Sequence, residues 1–156
     1  KGSLLRDCLF ALITFAIAVF PYLFINNLFF VLVERIFGTI QENQLAVEAL
    51  KDSHLNLIAV IILAPLLEEF LFRGLLQNAL RQKLEPVTAI IISSVIFAFF
   101  HYNNAQGALN IVLIPSLFVF ALFLGFIYEK TRSLISSIIL HSTFNTISAI
   151  YILYLN

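Results

Sequence analysis

The chain has 156 residues, of which 61% are hydrophobic and only 12% charged, with nine basic side chains balancing nine acidic ones. Soluble domains carry about 25% charged residues, so this composition excludes an ordinary water-soluble globule. No two Lys or Arg are adjacent, which argues against a nucleic-acid partner or a polybasic lipid-binding arm.

The length suits one domain, residues 1–156, embedded in a lipid bilayer. Lys1 in place of a starting methionine suggests a processed form or a fragment, with room for a further N-terminal helix. The first apolar run is too long for a secretory signal. Cys8, the single cysteine, is expected to be a small buried hydrophobe.

Four stretches lack Asp, Glu, Lys and Arg: 8–33, 53–67, 86–128 and 133–156. A bilayer core needs roughly 20 apolar residues per helix, so the 43-residue third stretch is two helices long. Its polar middle, Tyr102 to Gly107, reads as the turn between them. The sequence therefore predicts an all-α, polytopic transmembrane bundle of about five helices, over 6–36, 54–82, 86–102, 107–130 and 133–155. Between the first two, Gly38 to Asp52 is polar enough for at most a short interfacial helix. A barrel is excluded because the apolar runs do not alternate.

Counted alternately across five spans, Lys1, Arg6, Arg81, Lys83, Lys130 and Arg132 fall on one face and Arg35 and Lys51 on the other. The bias predicts a cytoplasmic N-terminus. A bacterial inner membrane or a thylakoid-type membrane fits equally.

The second helix carries Glu68, Glu69 and Arg73 inside its apolar run. Each charge at membrane depth costs on the order of 2.5–3.5 kcal/mol, so such residues face the interior and mark function by default. A helix that surfaces at this point would explain Glu69 and Arg73, but not two adjacent carboxylates. Glu69 and Arg73, four apart with the acid first, suit an ion pair that orients the site. Glu68, rotated by about 100°, is left for chemistry. Spacing alone allows the two acids to exchange or share these roles.

His101 and His141 lie in other apolar helices, with Phe97 and Asn145 one turn away from them respectively. At ~1.5 Å per residue from the helix ends near Arg81, Pro86 and Ser133, Glu68 lies roughly 20 Å deep, His101 roughly 22 Å, Asn145 roughly 18 Å and His141 roughly 12 Å. Separate helices thus deliver polar groups to one level. His54, among polar neighbours, is expected at the surface.

A carboxylate and an imidazole sharing a water can deprotonate it. A second imidazole and a carboxamide, His141 and Asn145, can donate to the oxyanion formed when water attacks a peptide carbonyl. Glu68, His101 and His141 also make the two-histidine, one-carboxylate set of a catalytic zinc. No HExxH helix is present, and hydrolysis without metal or other cofactor is the favoured expectation.

The segment Glu68-Glu69-Phe70-Leu71-Phe72-Arg73-Gly74 resembles the EExxxR motif of the CAAX protease and bacteriocin-processing (CPBP, or ABI) family. Phe97-Ala98-Phe99-Phe100-His101 is similar to its FxxxH motif, and His141-Ser142-Thr143-Phe144-Asn145 to its HxxxN motif. The three occur in family order over residues 68–145, about half of the chain. The resemblance implies a glutamate-dependent intramembrane endopeptidase. In it Glu68 and His101 would activate water, His141 and Asn145 would form the oxyanion site, and Glu69, Arg73 and Phe97 would orient them. The substrate would be a peptide or membrane protein, and a short bacterial or organellar member is not expected to meet prenylated ends. Two rivals remain: a non-catalytic partner in a membrane-protein complex that docks helices on Gly125, Ser136 and Ser137, and a transporter or proton relay with helices interrupted at Pro65 and Pro115.

Overall fold

The computed structural model describes residues 3–38 and 53–154, with His54 described by its backbone only. Among them all regular structure is helical and there is no strand. Helix α1 spans Leu4–Phe37, α2 Leu55–Arg81, α3 Pro86–Phe100, α4 Leu109–Thr131 and α5 Leu134–Tyr154. These bounds lie within two residues of those expected from the charge pattern. The expected interfacial segment beyond Gly38 and the expected surface position of the His54 side chain fall outside the described residues.

Four of the helices are long and apolar enough to cross a membrane. The exception to the five full spans expected is α3, whose 15 residues reach only ~22 Å at 1.5 Å per residue, short of a bilayer core ~30 Å thick. It stops because the apolar run ends at His101. That residue's amide bonds the Ala98 carbonyl at 3.2 Å and tightens the last turn. Asn103 then caps the 3-10 turn Asn104–Gln106. Asn110, at the start of α4, holds this loop by donating to the carbonyls of Asn103 and Gly107 at 2.8 and 3.0 Å and accepting from Asn103 N–H at 3.1 Å.

Helix α4 is the centre of the bundle. It packs against α1, α3 and α5, while α2 closes the remaining side against α3 and α5. Helices in lipid gain no hydrophobic drive from meeting each other and approach closely through small residues. The contact faces follow that rule: Ala11, Thr14 and Ala18 of α1, Ser93 and Ser94 of α3, and Ser136 and Ser137 of α5 are all buried. Ser93, Ser116 and Ser137 satisfy their hydroxyls on carbonyls of their own helices. Gly125, Ser136 and Ser137 are therefore internal contacts, which removes them as the surface on which a partner helix was expected to dock. The outward face is instead a sheath of Leu, Ile, Val and Phe. Cys8 is half-buried with a free thiol, more open than expected.

The sequence gives no warning of the shape of α2. It runs unbroken through two π-helical stretches, Ala59–Leu63 and Phe70–Gln77, on either side of the α-helical segment Ala64–Glu69. Pro65 has no N–H to return to the Ile61 carbonyl, which accounts for the wider turn before it. Helices α2 and α4 continue through Pro65 and Pro115, so the broken half-helices of a transporter are not formed.

Gly125 marks the tightest crossing. A Cβ there would lie 2.9 Å from Ile90 Cγ2 and 3.0 Å from Gln77 Oε1. Gly125→Leu is expected to cost roughly 1–3 kcal/mol through overpacking, read as a lowered unfolding midpoint in detergent micelles, whereas Leu at the lipid-facing position Phe126 leaves it unchanged.

Candidate active site

The site is organised from α2. Glu69 and Arg73 are both 0% exposed and pair at 3.2 Å from Nη1 to Oε1, as the four-residue spacing predicts. A guanidinium sealed from solvent must find its partners in protein. Nη2 of Arg73 donates to the Ala121 carbonyl of α4 at 3.0 Å, and the guanidinium lies 4.7 Å over the Phe97 ring. One turn on, Gln77 repeats the pattern, donating to the Gly125 carbonyl at 3.1 Å. Residues 69, 73 and 77 thus form a polar ladder on one face of α2. Sequence reading missed Gln77, although its spacing of four from Arg73 was the available signal.

Glu69 does more than pair with Arg73. Its Oε1 also meets Nδ1 of His141 on α5 at 2.9 Å. The other ring nitrogen of His141, Nε2, lies 3.8 Å from Oε2 of Glu68, and Nε2 of His101 lies 3.7 Å from the same oxygen. Nδ1 of His101 sits 2.9 Å from the Phe97 carbonyl. Each imidazole is therefore held by its Nδ1 and turns its Nε2 toward Glu68 Oε2. Against a carbonyl, Nδ1 of His101 must be the protonated nitrogen, which leaves Nε2 as an acceptor.

The two adjacent acids end in different surroundings. Glu69 is sealed, whereas the Glu68 side chain is 19% exposed and that of His101 31%. Glu68 Oε2 is itself buried and, like Glu69 Oε2, has no hydrogen-bond partner among the described residues. Separations of 3.7 and 3.8 Å exceed a direct hydrogen bond, and a widening of about 1 Å would admit a water bridging the groups.

Phe97 backs the whole set, with its ring centroid 4.7 Å from His101 and 5.8 Å from His141. Phe120 of α4 presses edge-on against His141 at 5.4 Å, a contact no motif signals. Asn145 lies one turn from His141, and its Nδ2 donates to the Val60 carbonyl in the first π-helical stretch of α2 at 2.9 Å. A carboxamide has a second N–H to give. For a metal, the observed N···O separations are wider than the ~3.3 Å between ligands of tetrahedral zinc with bonds of ~2.0 Å. Among the described residues no group of three His, Cys, Asp or Glu is arranged to hold an ion.

A family model described as type II CAAX prenyl endopeptidase Rce1-like matches residues 51–147, which include every site residue just described from Glu68 to Asn145. No curated protein and no solved structure gives a match.

Removing one half of the buried pair leaves an uncompensated charge. Arg73→Met is expected to destabilise the protein by about 3–5 kcal/mol. Glu69→Gln/Arg73→Met together should recover most of that loss. A double-mutant cycle on unfolding in mild detergent measures both.

Proposed function

The chain belongs to the type II CAAX prenyl endopeptidase Rce1-like family, and from that premise we propose that it hydrolyses peptide bonds of membrane-associated peptides or membrane proteins with a water activated by Glu68 and His101. It is an integral multi-pass membrane protein, with four helices fit to cross a bilayer. The observation that carries the reading is the convergence of two imidazole Nε2 atoms on Glu68 Oε2 at 3.7 and 3.8 Å.

In this mechanism water sits between Glu68 and His101 and gives a proton to the Glu68 carboxylate as its oxygen attacks the scissile carbonyl carbon. His101, with Nδ1 donating to the Phe97 carbonyl, keeps its Nε2 lone pair toward the water and orients it. The carbonyl π electrons move onto oxygen. His141 Nε2–H and the second N–H of Asn145 donate to that oxyanion. Glu69 rests on Nδ1 of His141 and supplies the counter-charge when the ring carries a proton on each nitrogen. Collapse of the tetrahedral intermediate breaks the C–N bond, and the proton held by Glu68 passes to the leaving amine. Every proton is accounted for without a metal or a covalent intermediate, so we propose that no cofactor takes part.

Two measurements test the reading. Glu68→Gln should lower cleavage of a membrane-embedded peptide by roughly 10²–10⁴-fold while the unfolding midpoint stays within error, and His101→Ala should do the same. Unchanged cleavage in Glu68→Gln would sink the proposal in favour of a non-catalytic partner. Excess chelator should leave wild-type cleavage intact; a loss restored by added zinc would return Glu68, His101 and His141 to the role of metal ligands.

A further inference from the structure

We propose that Pro65 is a positioning residue: it leaves the Val60 carbonyl without a backbone donor, so that one N–H of Asn145 is anchored to α2 and the other is held in a fixed amide plane for the oxyanion. The use of the second N–H rests on the peptidase reading above; the anchor itself does not.

The open carbonyl follows from helix register. A helix can offer the carbonyl of residue 60 the N–H of residue 64 in an α turn or of residue 65 in a π turn. Neither reaches it. The N–H of Ala64 bonds the Ala59 carbonyl, five residues back, and the next bond of that series would come from Pro65, which has no N–H. Pro65 is fully buried, whereas the Val60 side chain is turned outward. A carbonyl left unpaired at membrane depth is costly, because lipid has no donor to give it. Nδ2 of Asn145 supplies that donor at 2.9 Å.

The second π-helical stretch of α2, Phe70–Gln77, ends on a similar bond. The N–H of Asn78 goes to the Leu75 carbonyl, and its Nδ2 donates to the Gly74 carbonyl at 2.9 Å. In both places a carboxamide takes a carbonyl that the α-helical donor does not reach. At Gly74 the carboxamide belongs to the same helix and serves only the backbone. At Val60 it comes across from α5, from the residue one turn beyond His141.

What the anchor decides is which end of the carboxamide faces α2. A carbonyl accepts from Nδ2 and repels Oδ1, so it holds the amide against a half-turn that would exchange donor for acceptor. The backbone at this point is held independently: the Phe144 ring stacks on Phe120 at 4.2 Å and meets Tyr22 edge-on at 4.7 Å. The Asn145 side-chain torsions are the freedom that remains, and the Val60 carbonyl removes it. An unanchored amide would turn Oδ1 toward a developing oxyanion for part of the time and lose the stabilisation that a preset donor gives.

The anchor can be read without activity. Protein labelled with nitrogen-15 at asparagine is placed in lipid nanodiscs, and the Asn145 side-chain amide is identified by its absence from Asn145→Ala. One of its protons should exchange with deuterium at least about tenfold more slowly in wild type than in Pro65→Ala, where the restored N–H competes for the Val60 carbonyl. Equal exchange in the two proteins overturns the proposal. Wild type alone also decides it, since two Asn145 amide protons that both exchange at the free-amide rate overturn the anchor whether or not Pro65→Ala folds. In cleavage of a membrane-embedded peptide, Pro65→Ala should lower kcat by roughly tenfold or more, bounded by the ~10²–10³-fold cost of losing an oxyanion donor. KM should stay within about twofold. The loss should vanish in an Asn145→Ala background, which has no carboxamide to misplace. An equal loss in that background, or a wild-type kcat in Pro65→Ala, rejects Pro65 as a positioning residue. No cleavage by wild type, or full cleavage by Asn145→Ala, rejects the catalytic reading and leaves the anchor to be judged by exchange.

Discussion

An ion pair sealed from water inside a lipid-embedded bundle sets the terms for everything around it. Arg73 and Glu69 have no exposed surface, and neither can look to solvent or acyl chains for partners. The guanidinium is therefore met by a carboxylate, a backbone carbonyl and an aromatic face drawn from α2, α4 and α3. Satisfying it fixes the rotation of α2 about its axis. That rotation aims the neighbouring Glu68 at the two histidines.

One helix thus presents adjacent carboxylates to two environments. Glu69 is dry and spends its oxygen on Arg73 and His141. Glu68 has a partly exposed side chain, though its Oε2, like Oε2 of Glu69, is buried and has no hydrogen-bond partner among the described residues. An acid that is to trade protons with water needs the second setting; an acid that is to hold an imidazole still needs the first. The same division applies to the histidines, each anchored at Nδ1 by a different kind of acceptor, a backbone carbonyl for His101 and a carboxylate for His141. Their Nε2 atoms are left to face Glu68 Oε2.

Much of this was legible in sequence because lipid simplifies the code. Charge-free runs gave the helices, and the spacing of Glu69 and Arg73 gave the ion pair. Counting rise per residue put Glu68, His101 and His141 within a layer ~10 Å thick, and the structure brings their side chains to 3.7 and 3.8 Å. What stayed hidden was written in backbone rather than side chains. The π-helical stretches of α2, the Val60 carbonyl under Asn145 and the Phe97 carbonyl under His101 leave no trace in residue type. The inward turn of Gly125, Ser136 and Ser137 was equally unreadable, since small residues look alike whether they face a partner or the chain's own core. The stop of α3 at Phe100 was foreshadowed by the polar turn after it, but only geometry shows how far that falls short of a full span.

In the mechanism we propose, water held by Glu68 and His101 attacks the peptide carbonyl directly. A single turnover in water enriched in oxygen-18, with enzyme in excess over a defined peptide, tests it most directly by mass spectrometry. The account predicts one heavy oxygen in the new carboxylate of the product and none in the enzyme. Heavy oxygen in the Glu68 side chain with an unlabelled product would mean that the carboxylate itself was the nucleophile, and would contradict it.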